Sequence, residues 1–272
     1  MKTLNDLIRS RKSVRTYDGL PLSPEDLEQL KRAAAGVTNP YGIPLEFRFL
    51  SAAEHGLTCP VVVGTDHYVA AKLTRGPHME EAFGYSFEQF VLKAWEMGIG
   101  TVWLGGTMDR KAFEAAMDLT EEERMPCASP LGRPGSKPSL KDSAMRLAIK
   151  ADERAPFESL FFDGSFDVPL TAEKAGALAD LLEAVRWSPT AANKQPIRAV
   201  VTGKAVHFYV KHSKGFVSDR AGDMQKIDLG IALCHFELAA KEVGLDVTFS
   251  LADPGLPTPN YTEYVASWLL NG

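Results

Sequence analysis

Apolar and polar positions along the chain alternate with helical spacing in some stretches and cluster into short β-branched runs in others. LNDLIRS, residues 4–10, predicts a short helix, and the basic run Arg11-Lys12-Ser13-Val14-Arg15 follows it. Ser23-Pro24-Glu25-Asp26 predicts a helix start, with Ser23 as cap, Pro24 at the first helical position and acids in the first turn. That helix runs to about Ala35 and stops at Gly36. Glu46–Ser51 predicts a short strand, and Pro60–Gly64 (PVVVG) a buried one. Ser86–Met97 predicts an apolar helix closed by Gly98. The apolar Thr101–Leu104 is broken by Gly105-Gly106, and Asp109–Asp118 predicts another helix, followed by an acidic cap at Thr120–Arg124. Residues 126–143 hold four prolines and two glycines and predict loop or strand edge.

The pattern then begins again. Pro169–Glu173 predicts the opening of a long helix to about Trp187, followed by a polar loop, Ser188–Gln195, and Pro196. Two strands are predicted over 197–202 and 205–211, a helix over Lys226–Val243 ending at Gly244, and a strand over Asp246–Leu251. Pro21-Leu22-Ser23-Pro24-Glu25 matches Pro169-Leu170-Thr171-Ala172-Glu173 at an offset of 148. Glu96-Met97-Gly98-Ile99 matches Glu242-Val243-Gly244-Leu245 at an offset of 146. Two anchors in the same order, at nearly equal offsets, predict an internal repeat. Two copies of one α+β unit should pack as a pseudo-twofold dimer with a self-complementary interface.

Composition narrows the function classes. The 272 residues suffice for one large domain or two small ones, with 45% hydrophobic and 24% charged residues, as in ordinary globular chains. This rules out predominant disorder. No apolar run approaches a membrane span, and the N-terminus lacks the apolar core of a secretory signal. A net charge of −5 disfavours a nucleic-acid partner. Cys59, Cys127 and Cys234 are far apart and form no CxxC or Cys/His cluster, which argues against zinc and points to a reducing cytoplasm. Asp66-His67 and Cys234-His235 lack ligand spacing and read as core or surface residues.

Four segments can carry chemistry. Arg11-x-Ser13-x-Arg15, with Lys12, suits an anionic ligand, because guanidinium offers planar bidentate donors to phosphate. Read alone, it is equally a solvated basic surface. Trp187–Pro196 (WSPTAANKQP) presents backbone and amide donors in a fixed shape, or is mere loop punctuation. Gly98–Gly106 (GIGTVWLGG) allows close backbone approach to a flat ligand, or makes a tight turn; its spacing is not that of a Rossmann fingerprint. Arg154-Ala155-Pro156 is weak by itself.

Together these segments resemble the FMN-dependent nitroreductases, in a branch carrying two such units in tandem. RKSVRTYDGLPLSPEDLEQL is similar to that family's N-terminus, WSPTAANKQP to the loop after its first long helix, MGIGTVWLGG to its flavin-lining segment, and RAPFESLFF to its C-terminal Arg-x-Pro stretch. The resemblance implies an α+β nitroreductase-like fold, with a front half, 1–163, carrying the basic motif and a degenerate rear half, 164–272, carrying the Ser-Pro loop. The front loop equivalent, GVTNPYGIPLEF, has decayed, and the rear positions aligned with Arg11, Ser13 and Arg15 are Ser159, Phe161 and Asp163. Family dimers share each flavin site across their interface, so one complementary set implies one site per chain.

The resemblance assigns Arg11 and Arg154 to the FMN phosphate, Lys12 to cofactor binding, Ser13 to ribityl or phosphate oxygens, and Arg15 to the pyrimidine side of the ring. Gly105 and Gly106 would place backbone N–H groups near flavin N5, and Pro189, Thr190 and Asn193 would close the site from the rear half. Trp103 could flank the ring; Trp95 reads as packing. Ile197 stands where the family often has Trp, and Lys72 and Arg75 fall where it often has a further basic contact. The implied activity is oxidation of NAD(P)H through FMN and reduction of a nitro compound, quinone or similar small acceptor. FMN carries the hydride, and no catalytic acid or base stands out. The chain is expected to be cytoplasmic and, with the dimer already fused, monomeric. A non-catalytic flavin binder and an FMN-free small-molecule scaffold are the rival expectations.

Overall fold

The computed structural model describes residues 3–137 and 139–271; Met1, Lys2, Gly272 and Pro138 of the proline-rich stretch lie outside the described residues. In the front half the chain runs α1 (Leu4–Ser10), α2 (Pro24–Ala35), β1 (Glu46–Ser51), α3 (Ala52–His55), β2 (His67–Thr74), α4 (Met79–Glu96), α5 (Arg110–Ala116), β3 (Glu123–Arg124), β4 (Ala128–Leu131), α6 (Leu140–Ala148), α7 (Phe157–Leu160) and β5 (Phe161–Asp163). The rear half runs α8 (Ala172–Ala175), α9 (Ala179–Arg186), β6 (Ile197–Thr202), β7 (Ala205–Lys211), β8 (Val217–Ser218), β9 (Gly222–Asp223), α10 (Met224–Glu242), β10 (Asp246–Ser250) and β11 (Thr262–Asn271).

Each half builds one mainly antiparallel sheet. In front, β2 lies between β1 and β4, with Glu46 opposite Lys72 and His67 opposite Leu131. At the rear the order is β10-β11-β7-β6-β5, with Ile197 opposite Val210. The last strand, β5, comes from the front half and pairs parallel to β6. Helix α1 crosses over too: Ile8 is buried in the rear core, and Arg9 meets Glu183 of α9 at 3.1 Å. The halves are therefore interlocked at their ends.

The long helices α4 and α10 cross at the centre, and their contact preserves the repeat. A Cβ on Gly84 of α4 would lie 2.1 Å from the Ile227 carbonyl oxygen; one on Gly230 of α10 would lie 2.0 Å from that of Glu81. At the offset of 146, Gly84 maps onto Gly230 and Glu81 onto Ile227. Each contact is thus the other's twofold mate, the signature of an isologous interface.

The capped elements form where expected. Ser23 accepts the Asp26 N–H at the start of α2, and Asp109 that of Ala112 at the start of α5. Gly98 and Gly244 close the long helices just past their ends, at φ +74° and +73°. Gly36 also follows its helix but at φ −92°, so no left-handed turn is needed there.

Several expectations fail for physical reasons. Pro60–Gly64 is not a strand: Val62 N–H closes a turn on Cys59 and Val63 is 57% exposed. Val63 instead exchanges backbone hydrogen bonds with Arg15 and Tyr17, so the β-branched run fastens the basic segment. The buried strand is β2, whose Ala-Ala-Lys interior carries little β-propensity. Helix α4 starts seven residues before Ser86, behind a His78 with no side-chain cap. The long helix predicted from Pro169 breaks at Gly176, at φ +53° and ψ −121°. Residues 126–143 contain β4 and the start of α6, and β11 was not foreseen.

Candidate functional site

The basic segment leaves α1 in an extended path. Val14 N–H donates to Thr101 O at 2.9 Å, so the segment runs beside Gly98–Gly106. Gly100 is required there because a Cβ would sit 2.8 Å from Val14 side-chain carbons. Its role is to admit Val14, not a ligand. Gly105 faces Met224, whose Cε would be 2.9 Å from an added Cβ, whereas Gly106 has open space. Arg110 donates to Gly105 O at 2.5 Å and pins this turn.

The Ser188–Pro196 loop comes from the rear half. Ser188 is buried, with Oγ 3.2 Å from His235 Nδ1, and His235 Nε2 lies 3.0 Å from Glu88 of α4. Ala192, Asn193 and Gln195 all have positive φ, between 48° and 54°, a concentration of backbone strain of the kind held at functional sites. Several bonds hold it. Gln195 N–H donates to Thr190 Oγ1 at 3.0 Å, and Ala155 N–H to Gln195 Oε1 at 2.7 Å. Asn193 Nδ2 donates to Lys150 O at 2.7 Å and Glu153 O at 3.1 Å. Ala191 N–H donates to both oxygens of Asp228, at 3.0 and 3.1 Å.

These elements enclose two adjoining cavities. The larger, about 400 Å³, is lined by Ser13, Arg15, Val102–Thr107, Met145, Ile149, Pro189–Ala192, Gly215–Ser218 and the buried face of α10 at Met224, Ile227 and Asp228. The smaller, about 190 Å³, shares Ser13, Ile149, Pro189 and Thr190 and adds Arg11, Lys12, Arg146, Arg154, Trp187 and Asn193. All ten residues singled out in the sequence line one cavity or the other.

The two ends differ in charge. At the smaller end Arg11 Nη1 and Arg154 Nε are buried without a hydrogen-bond partner. Burial lowers the Arg11 pKa, with Arg146 adding to the effect against a nearby Glu88. Burial, then Arg11, lowers that of Arg154 to about 10. The Arg154 guanidinium also stacks 4.7 Å over Trp187. Crowded, underused cations of this kind call for an anion. At the larger end Arg15 is buried against Asp142 at 2.9 Å, and apolar side chains and backbone make most of the wall.

Lys72 and Arg75 are not part of the site: Lys72 pairs with Glu123 at 2.9 Å, and Arg75 donates to the Glu123 carbonyl. Arg146 of α6 lines the smaller cavity, where it also pairs with Asp152. Trp103 lines the larger cavity, with a buried, unpartnered Nε1, while Trp95 donates to Ser10 Oγ. Sequence reasoning missed Asp228 and α6. For Asp228 a signal existed, since it is a lone acid in the apolar stretch Ile227–Phe236. The cysteines are free and buried, and among the described residues no His/Cys/Asp/Glu cluster could hold a metal. Among them, no helix is long and apolar enough to cross a membrane.

A family model described as "Putative TM nitroreductase" matches residues 3–240. The chain is similar to a putative nitroreductase from Thermotoga maritima MSB8, at 18% identity and TM-score 0.61, over 99% of this chain and 93% of that one. It also matches an FMN-dependent nitroreductase from Clostridium difficile R20291, at 16% identity and TM-score 0.42, over 51% of this chain and 92% of that one. A putative NADH dehydrogenase/NAD(P)H nitroreductase from Bacteroides thetaiotaomicron VPI-5482 matches at 22% identity and TM-score 0.43, over 52% and 93%. No curated protein matches the chain.

Proposed function

Because this chain belongs to that nitroreductase family, we propose that it is an FMN-dependent oxidoreductase that oxidises NAD(P)H and reduces a nitro compound, quinone or similar acceptor in two half-reactions. The observation that carries the reading is the pair of adjoining cavities, with unpartnered guanidinium atoms at one end and a largely apolar slot at the other. A phosphate tail and a flat ring have these two requirements. The residues present therefore fit FMN.

Arg11, Lys12 and Arg154, joined by Arg146, would hold the phosphate. Ser13 and Thr190 lie where the two cavities meet and would meet the ribityl oxygens. Arg15, Gly105, Gly106 and Pro189 would border the ring. Asn193 has both its amide donations committed to Lys150 and Glu153 carbonyls, so its part is to hold the Arg154 segment in place. Bound FMN supplies two-electron chemistry, taking up a hydride and giving it back. The chain's own work is to neutralise the phosphate, orient the ring and exclude water around it.

On this reading the halves 1–163 and 164–272 are diverged copies sharing one site, and the stoichiometry is one FMN per chain. The test is the visible spectrum of the purified protein during FMN titration, followed by anaerobic NADH or NADPH. Saturation at one equivalent and bleaching of the bound flavin are expected. Bound flavin that neither nucleotide bleaches would leave a flavin binder, and absence of uptake would end the flavin reading.

A further inference from the structure

We propose that Asp228 is the acid that gives a proton to the acceptor's oxygen as the acceptor is reduced. The proposal rests on the flavin reading above and adds a residue to it. Asp228 is the one carboxyl among the described residues lining the larger cavity, and it is 3% exposed. It sits on α10 next to Ile227, on the same wall as Met224, which packs against Gly105. The N–H of Ala191 reaches both of its oxygens; in the neutral carboxyl the carbonyl oxygen would retain one of these bonds, leaving the O–H to donate.

The environment favours that neutral form. Burial raises the Asp228 pKa well above the carboxylate range; the Ala191 N–H works against this, and the charge of Asp223, five residues back at the start of α10, adds to it. Cys127 lies behind Gly105 with its own thiol pushed by burial up to about 12, so it too is neutral. Arg15 lines the cavity and Arg110 pins the Gly105 turn, and both are engaged, Arg15 with Asp142 and Arg110 with backbone carbonyls. A neutral acid kept in an apolar site is a proton donor at neutral pH.

The repeat supplies an independent argument. At the offset of 146, Asp228 corresponds to Ala82 on α4. The acid is present only on the helix that faces the complete motif set, and the helix facing the decayed set has a methyl group.

In the step, the carboxyl O–H bond breaks and an O–H bond forms on the acceptor. A quinone that takes a hydride from reduced FMN and this proton becomes the hydroquinone, and water returns a proton to the carboxylate. NAD(P)H is the reductant that prepares the flavin.

The test compares FMN-loaded wild type with Asp228→Asn, which keeps the acceptor for Ala191 but has no acidic proton. Each is reduced with NADH or NADPH, then reoxidised with 1,4-benzoquinone or with ferricyanide, which takes electrons without a proton. D228N should slow the benzoquinone reaction by about 100-fold or more, the usual scale of general acid catalysis. Any loss in ferricyanide reoxidation should be small by comparison, and D228N should still take up FMN. The wild-type benzoquinone rate should fall as pH rises through the carboxyl pKa while the ferricyanide rate stays flat, a measurement that does not depend on the variant folding. Infrared spectra of the loaded, oxidised protein should contain a protonated-carboxyl C=O band that D228N lacks. An unchanged benzoquinone rate, equal losses with both acceptors, or the absence of that band overturns the proposal while leaving the flavin reading standing. Failure of wild type to take up FMN overturns both.

Discussion

The crossing of α4 and α10 offers a quantitative test of the pseudo-twofold interface. Gly84→Ala places a methyl 2.1 Å from the Ile227 carbonyl oxygen, and Gly230→Ala places one 2.0 Å from that of Glu81. Ordinary contact begins at 3.4 Å, and the opposing atoms are backbone, which cannot rotate away. The helices must separate by about 1 Å or more in a close-packed core. Overpacking costs about 1–3 kcal/mol, often towards the upper end when backbone must move. The better helix propensity of alanine returns about 1 kcal/mol. Each single substitution should therefore destabilise by about 2 kcal/mol, and by similar amounts, because the contacts are symmetry mates. One separation relieves both clashes, so the double variant should lose clearly less than the sum of the singles. Urea denaturation of the four proteins measures this. Because Asp228 and Ile227 move with α10, FMN affinity should fall in every variant. A stabilised single variant, or strictly additive losses, would refute the argument that these glycines exist for one shared helix approach.

Three further outcomes follow from the site. Arg11→Glu sets a negative charge where the phosphate is placed; the lost charge-assisted hydrogen bond is worth about 1.5–3 kcal/mol. FMN affinity should drop at least about tenfold, with the melting temperature of the FMN-free protein hardly altered; unchanged affinity in a fluorescence titration would sink the assignment. Asn193→Ala should weaken FMN binding although every cation lies in the front half, since it frees the Lys150 and Glu153 carbonyls; equal affinity would show that the rear loop does not hold the Arg154 segment. Glu81 is buried, and burial raises its pKa from 4.5 to about 7. A raised carboxyl pKa stabilises the fold fully below the unfolded value, and that stability drains away as pH rises through the folded value. Wild type should lose about 3 kcal/mol between pH 4.5 and pH 8 relative to Glu81→Gln, and parallel stability curves from denaturation at several pH values would contradict this.

The sequence alone determined the local features. Caps and stops for α2, α5 and the C-terminal ends of α4 and α10 were legible, because a cap is a contact between residues three or four apart. So were the two matching segments, whose offset also relates the Gly84 and Gly230 contacts where α4 and α10 cross. The ten residues predicted to share a site do line the two cavities, for each sits in a short motif that can be read without its surroundings. What lay beyond was non-local. Pro60–Gly64 has a strand's composition, but no sheet edge receives it, and its backbone binds Arg15 and Tyr17 instead. Gly84 and Gly230 read as unremarkable glycines, and Gly100 as room for a ligand, until the atom each would strike is known. Lys72 and Arg146 carry the same charge and each has an acidic partner, Glu123 and Asp152, yet only Arg146 faces the smaller cavity. Asp228 is visible as an acid in an apolar helix, but only the fold puts it against the Ala191 N–H and inside the cavity. Spacing along the chain can specify a turn of helix. The partner of a charge, the space beside a glycine and the wall of a cavity depend on segments tens of residues away or more, which only folding brings together.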